Sequence, residues 1–140
     1  MSRALVNTAY KKQPILYSDF LGNLDLHPLS GDIATVTNGE SLKQSIKNLI
    51  LTNYGERPFN PNLGSNVYKM LFQPLDGFAI QDIKNYIRET VAFHEKRVNL
   101  LDVAAAASQS DENKLIVTIT FNIINTTTID TLNLILQRVR

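Results

Sequence analysis

Glu95, Lys96 and Arg97 place a carboxylate, an ammonium and a guanidinium within three residues, where an apolar-periodic segment gives way to an alternating one. If the chain is extended there, residues two apart share a face, and Glu95 and Arg97 would offer a partner one acceptor and one planar donor fork. The alternative is a solvated charge cluster. Arg57 stands just past a helix-like segment, where unpaired carbonyls and the negative end of the dipole attract a cation, so it can brace that helix end or hold a carboxylate. Glycoside hydrolysis would need two carboxylates about 5–10 Å apart, one with a raised pKa. Asp76 and Asp82 fall on different faces of a helix, and a helix-to-strand change separates Glu95 from Asp102, so no pair is selected. His27 and His94 have no second histidine at ligand spacing, no serine sits in a G-x-S-x-G setting, and no glycine run forms a phosphate loop. These residues imply no catalytic centre, no cofactor and no metal.

The elements that position them fit in 140 residues, enough for one domain with a real core. A hydrophobic content of 44% with 19% charge excludes a wholly disordered chain, and a formal charge of +1 gives no general pull toward nucleic acid. Lys11-Lys12 and the terminal arginines are too sparse for a nucleic-acid patch. No run approaches the roughly 20 apolar residues that insertion into a membrane requires. The absence of cysteine suits assembly in a reducing cytoplasm.

Residues 1–31, punctuated by Pro14, Gly22, Pro28 and Gly31, read as an N-terminal arm, and residues 32–140 as the folded domain. Thr37 and Glu40 have capping-box spacing, and Leu42, Ile46, Leu49 and Ile50 predict a helix through about Asn53, ended by left-handed Gly55. A connector whose shape is set by Pro58 and Pro61 follows. Val67, Met70 and Leu71 predict a short helix closed by Pro74, and Ile80, Ile83, Ile87 and Val91 a longer one from about Asp76 to His94. From Val98 the period becomes two. Leu101, Val103, Ala105 and Ala107 predict one strand and Leu115 to Ile123 a second, its alternate residues apolar. The last strand, about Thr131 to Val139, sets Leu132, Leu134 and Leu136 against Asn133, Ile135 and Gln137. The class is α+β: three helices packed on an antiparallel sheet of three C-terminal strands, with a short N-terminal strand around Ile33 to Val36. At a sheet edge the last strand would either be guarded by Arg138 and Arg140 or open to a segment from another chain.

From about Asp32 onward, Gly55, Arg57-Pro58-Phe59, Pro61, Gly64, Leu71-Phe72, Glu95 with Arg97 and three final strands occur in this order. The chain thereby resembles the wedge proteins of contractile phage baseplates, which seed the tail sheath and have relatives in the type VI secretion baseplate. The usual Glu-Pro-Arg triplet reads here Glu95-Lys96-Arg97. The resemblance implies a structural, non-enzymatic virion protein of the tail baseplate. Its implied partners are other wedge proteins and the tail sheath protein, with the tail tube or central hub as further candidates. In that family the triplet contacts neighbouring wedge subunits, and sheath strands extend the sheet. The resemblance thus assigns wedge contact to Glu95, Lys96 and Arg97, and sheath contact to Asn133, Ile135, Gln137 and Arg138. Gly55, Arg57, Pro58, Phe59, Pro61 and Gly64 become connector positions. The competing readings are an anti-adaptor-like regulatory protein of the same fold and an acid-active lysozyme; the long strand meander and the connector favour the wedge reading.

Overall fold

The strict alternation of Leu115, Val117, Ile119, Phe121 and Ile123 generates the centre of the molecule. In the computed structural model, which describes residues 14–109, 111 and 113–137, all five are buried on one face of a strand. Each contributes about 1.5–3 kcal/mol relative to exposure. This strand, β4 (Lys114–Ile123), lies between β3 (Val98–Ala107) and β5 (Ile129–Gln137) in an antiparallel sheet of order β3-β4-β5. Earlier in the chain come β1 (Ser18–Phe20), β2 (Thr35–Thr37), α1 (Asn38–Leu51), α2 (Val67–Met70) and α3 (Gly77–His94). The α+β architecture is as the sequence predicts. Leu42, Ile46 and Ile50 of α1 and Ile83, Ile87 and Val91 of α3 meet the inner face of the sheet in one core around Phe121. Asp76 caps α3, its carboxylate accepting the Ala79 N–H.

Several local expectations are corrected. Leu101 is half exposed because a β-bulge between Leu100 and Asp102 shifts the phase, so Leu100 turns toward the core in its place, and Ala107 is exposed at the strand end. The capping box does not form: Thr37 is held in β2 opposite Ser18 and makes no side-chain cap bond, while Glu40 pairs with Lys43 at 2.8 Å. The next residue, Asn38, adopts φ 50° and clasps the preceding chain. Its Oδ1 accepts the Leu16 N–H at 2.8 Å and its Nδ2 donates to the Pro14 carbonyl. Helix α1 ends at Leu51, before the predicted Asn53, and Gly55 lies beyond its cap in a turn with φ 83°. The N-terminal strand is two residues later than expected at its start and has a partner, β1, that periodicity did not reveal. The final strand starts at Ile129; Arg138, Val139 and Arg140 lie outside the described residues.

Candidate functional site

The connector is held by the Ser65 hydroxyl and by main-chain bonds, and not by Arg57. Ser65, fully buried, donates its hydroxyl to the Ile50 carbonyl at 2.6 Å, and its N–H donates to the Thr52 carbonyl at 2.8 Å. The end of α1 is thus capped by Ser65, the place considered for Arg57. Gly64 makes this approach possible: a Cβ there would lie 2.5 Å from the Thr52 carbonyl oxygen, and its φ is 133°. Gly55 donates to the Pro61 carbonyl at 2.8 Å and closes the loop. Glu56 accepts the Asn53 N–H and is turned away from Arg57. Arg57, Pro58, Phe59 and Pro61 are exposed, Phe59 completely, and Arg57 makes no side-chain bond with any described residue.

Glu95 does not share an outward face with Arg97. It is the cap residue of α3, with φ −112° and ψ 86°, and the strand starts only at Val98, so extended-chain spacing does not apply. Its side chain is 6% exposed and that of Arg97 42%. Arg97 grips the carboxylate with two donors, Nε to Oε1 at 2.7 Å and Nη2 to Oε2 at 2.6 Å. Ser45 of α1 donates its hydroxyl to the same carboxylate at 2.7 Å. Burial pushes the Glu95 carboxyl up, but the bonds from Arg97 and Ser45 outweigh it and hold the group below the usual carboxylate range. Its bonds to Glu95 push the Arg97 guanidinium up. Arg97 also lies 5.6 Å from the centre of the Tyr17 ring. This node therefore ties α1, the α3–β3 junction and the segment before β1 together. Sequence reasoning missed Ser45 and Tyr17, because a serine on the flank of an amphipathic helix gives no signal until its partner's position is known.

A cleft of about 490 Å³ brings the two singled-out regions together: Arg57 lines it from the connector, and His94, Glu95, Lys96 and Arg97 from the α3–β3 junction. Lys96 is exposed.

The second surface is the free side of β5. Ser108 N–H donates to the Lys114 carbonyl at one end of the β3–β4 pair, and Ile124 N–H to the Arg97 carbonyl at the other. Hydrogen-bonded pairs alternate along an antiparallel ladder, so Lys114, Ile116, Thr118 and Thr120 bond toward β3. Leu115, Val117, Ile119 and Phe121 then face β5, where they meet Leu136, Leu134, Leu132 and Asp130. The N–H and C=O groups of Ile129, Thr131, Asn133, Ile135 and Gln137 are left pointing away from the sheet. Leu134 and Leu136 are buried, while Asn133, Ile135 and Gln137 carry exposed side chains.

This order of helices, connector, junction and three-stranded meander has relatives. Residues 36–128 match the family model described as baseplate wedge protein gp25. The chain belongs to this baseplate wedge family. It is 29% identical over 110 residues to baseplate wedge protein gp25 of Enterobacteria phage T4, spanning 79% of this chain and 82% of the phage protein. Among solved structures, a candidate tail lysozyme from Geobacter sulfurreducens superposes with a TM-score of 0.67 at 25% identity, covering 72% of this chain and 91% of the other. A chain of the anti-feeding prophage baseplate superposes with a TM-score of 0.69 at 23% identity, covering 79% and 88%, a likeness of fold. This wedge protein is a structural component of the baseplate of a contractile tail and assembles there with other baseplate proteins.

Proposed function

We propose that this wedge protein docks on neighbouring wedge subunits through the cleft of Arg57, Lys96 and Arg97, and seeds the first ring of tail sheath by adding a sheath strand to β5. The observation that carries the second half is the odd-numbered row of β5, unpaired among the described residues, a main-chain template whose side chains are uncharged from Thr131 to Gln137. At the cleft, Glu95 and Ser45 position the guanidinium of Arg97, whose exposed edge, with Arg57, unpaired among the described residues, remains available to a partner carboxylate. Strand addition depends on the donors of the edge and little on its side chains. Baseplates carrying Asn133→Pro or Ile135→Pro should therefore assemble but fail to polymerise sheath, whereas Asn133→Ala should behave as wild type. Normal sheath growth on the proline baseplates would refute the template.

The description of the Geobacter relative raises glycan hydrolysis as another reading. That chemistry calls for a carboxyl kept protonated near neutral pH. Glu95, the buried carboxyl, is held ionised, which supports the structural reading.

A further inference from the structure

Between Lys12 and Lys43 the chain contains no lysine or arginine, although it has 14 in all. This stretch carries Asp19, Asp25 and Asp32, and it folds into a lobe built on the β1–β2 pair. Leu21 N–H donates to the Ala34 carbonyl, Ala34 N–H to the Asp25 carbonyl and His27 N–H to the Asp32 carbonyl, so main-chain bonds lace the lobe on both sides of a turn at residues 21–25 that shifts the register. At its root, the Gln44 side chain of α1 donates to the Phe20 carbonyl and accepts the Gly22 N–H. Large apolar side chains nonetheless stand in solvent along it: Leu24 is 62% exposed, Leu26 66% and Leu29 92%. Leu26 and Ile33 lie opposite each other in an antiparallel bridge, so both stand on one face. The three carboxylates accept only local hydrogen bonds, Asp19 from Phe20 N–H, Asp32 from Ile33 N–H and Asp25 from the Asn23 amide; Asp19 lies within electrostatic reach of Arg97 at the cleft, whereas Asp25 and Asp32 have no cationic partner among the described residues.

A preformed lobe with exposed leucines and unpaired carboxylates is matched by an apolar depression rimmed by lysine or arginine. We propose that the lobe is a docking surface for a second baseplate protein presenting such a basic-rimmed apolar depression. The three carboxylates would be repelled by an anionic lipid surface or by nucleic acid, which leaves a protein as the occupant. The exposed leucines and the three carboxylates of the lobe all precede residue 36, where the family match begins, and lie outside the sheet that carries the β5 edge.

The test uses purified baseplates that contain the full chain. Zero-length carbodiimide coupling followed by mass spectrometry should join Asp25 or Asp32 to a lysine of another baseplate protein. Lobe amides should exchange at least tenfold more slowly in the baseplate than in the free chain. Leu24→Ser with Leu26→Ser and Leu29→Ser should lower incorporation into baseplates at least tenfold while the purified variant melts as wild type. Asp19→Asn with Asp25→Asn and Asp32→Asn should lower it less, and should abolish its dependence on salt. Unchanged lobe exchange in baseplates that hold the chain would overturn the proposal and leave the sheath reading intact. Cross-links confined to a second copy, or to Lys11 and Lys12 of the same chain, would overturn it too, as would stronger binding to phosphatidylglycerol vesicles than to baseplates lacking the chain.

Discussion

Arg97→Ala should cost the isolated wedge protein more than Glu95→Ala, although only the arginine is half exposed. Removing the guanidinium leaves a carboxylate that is 6% exposed with Ser45 as its remaining side-chain donor. Breaking a buried pair in this way costs about 3–5 kcal/mol, and access of water on the arginine side reduces the expected loss here to about 2–4 kcal/mol. Removing the carboxylate instead frees an arginine that can turn to water, at a cost of about 1–2 kcal/mol from lost bonds and packing. The double variant should resemble Glu95→Ala, so the coupling in the cycle should equal the Arg97→Ala loss, about 2–4 kcal/mol. The pH dependence follows from the lowered Glu95 value. Its stabilisation is present above the unfolded-state pKa, near 4.5, and is lost as pH falls through the lower folded-state value. In Arg97→Ala the burial of Glu95 is no longer offset by the guanidinium, so its carboxyl moves up and the deficit against wild type shrinks between pH 7 and pH 4. Urea unfolding of the four proteins at both pH values measures these quantities. Equal and additive losses, or a deficit that widens in acid, would refute the brace.

Three further outcomes follow from the connector and the sheet. Gly64→Ala should destabilise by about 3 kcal/mol or more, because a Cβ meets the Thr52 carbonyl at 2.5 Å at φ 133°, while Gly55→Ala, in open space at φ 83°, should cost about 1–2 kcal/mol; thermal melts compare the two. Ser65→Ala should cost about 1–3 kcal/mol by leaving the buried Ile50 carbonyl without its hydroxyl donor, read from the urea midpoint. Leu134→Ala should lower stability by about 2–5 kcal/mol through a core cavity, and Leu134→Pro, which also removes an N–H that faces β4, should prevent folding. Asn133→Pro, by contrast, should leave the isolated chain folded by circular dichroism.

What the sequence made legible was periodic. The apolar stripes of α1 and α3 and the alternation of β4 are set by burial, and burial writes itself into residue type at fixed spacing. What stayed hidden depended on contacts between distant residues or on one-residue shifts of phase. The bulge at Leu101 carries no residue signature, since leucine fits either face, and β1 is too short for a period to register. Thr37 and Glu40 satisfy the capping pattern, yet Thr37 is taken by a strand pair with Ser18 that local spacing cannot reveal. The same holds for the candidate site. The chemical types at Glu95 and Arg97 were evident, but the inward turn of Glu95 is decided by Ser45, 50 residues away, and capping by Ser65 could not be separated from capping by Arg57. The uncharged outward row of β5 was readable, and its donor phase followed once the Ser108 and Ile124 bonds were known.

A reconstruction of the extended particle, resolved well enough to trace main-chain hydrogen bonds around β5, tests the seeding role most directly. An extended sheath segment should lie along Ile129 to Gln137, its N–H and C=O groups paired with those of Thr131, Asn133 and Ile135 and not with the even-numbered residues that face β4. A β5 edge covered by another baseplate protein, or left in solvent beneath a complete sheath ring, would contradict it.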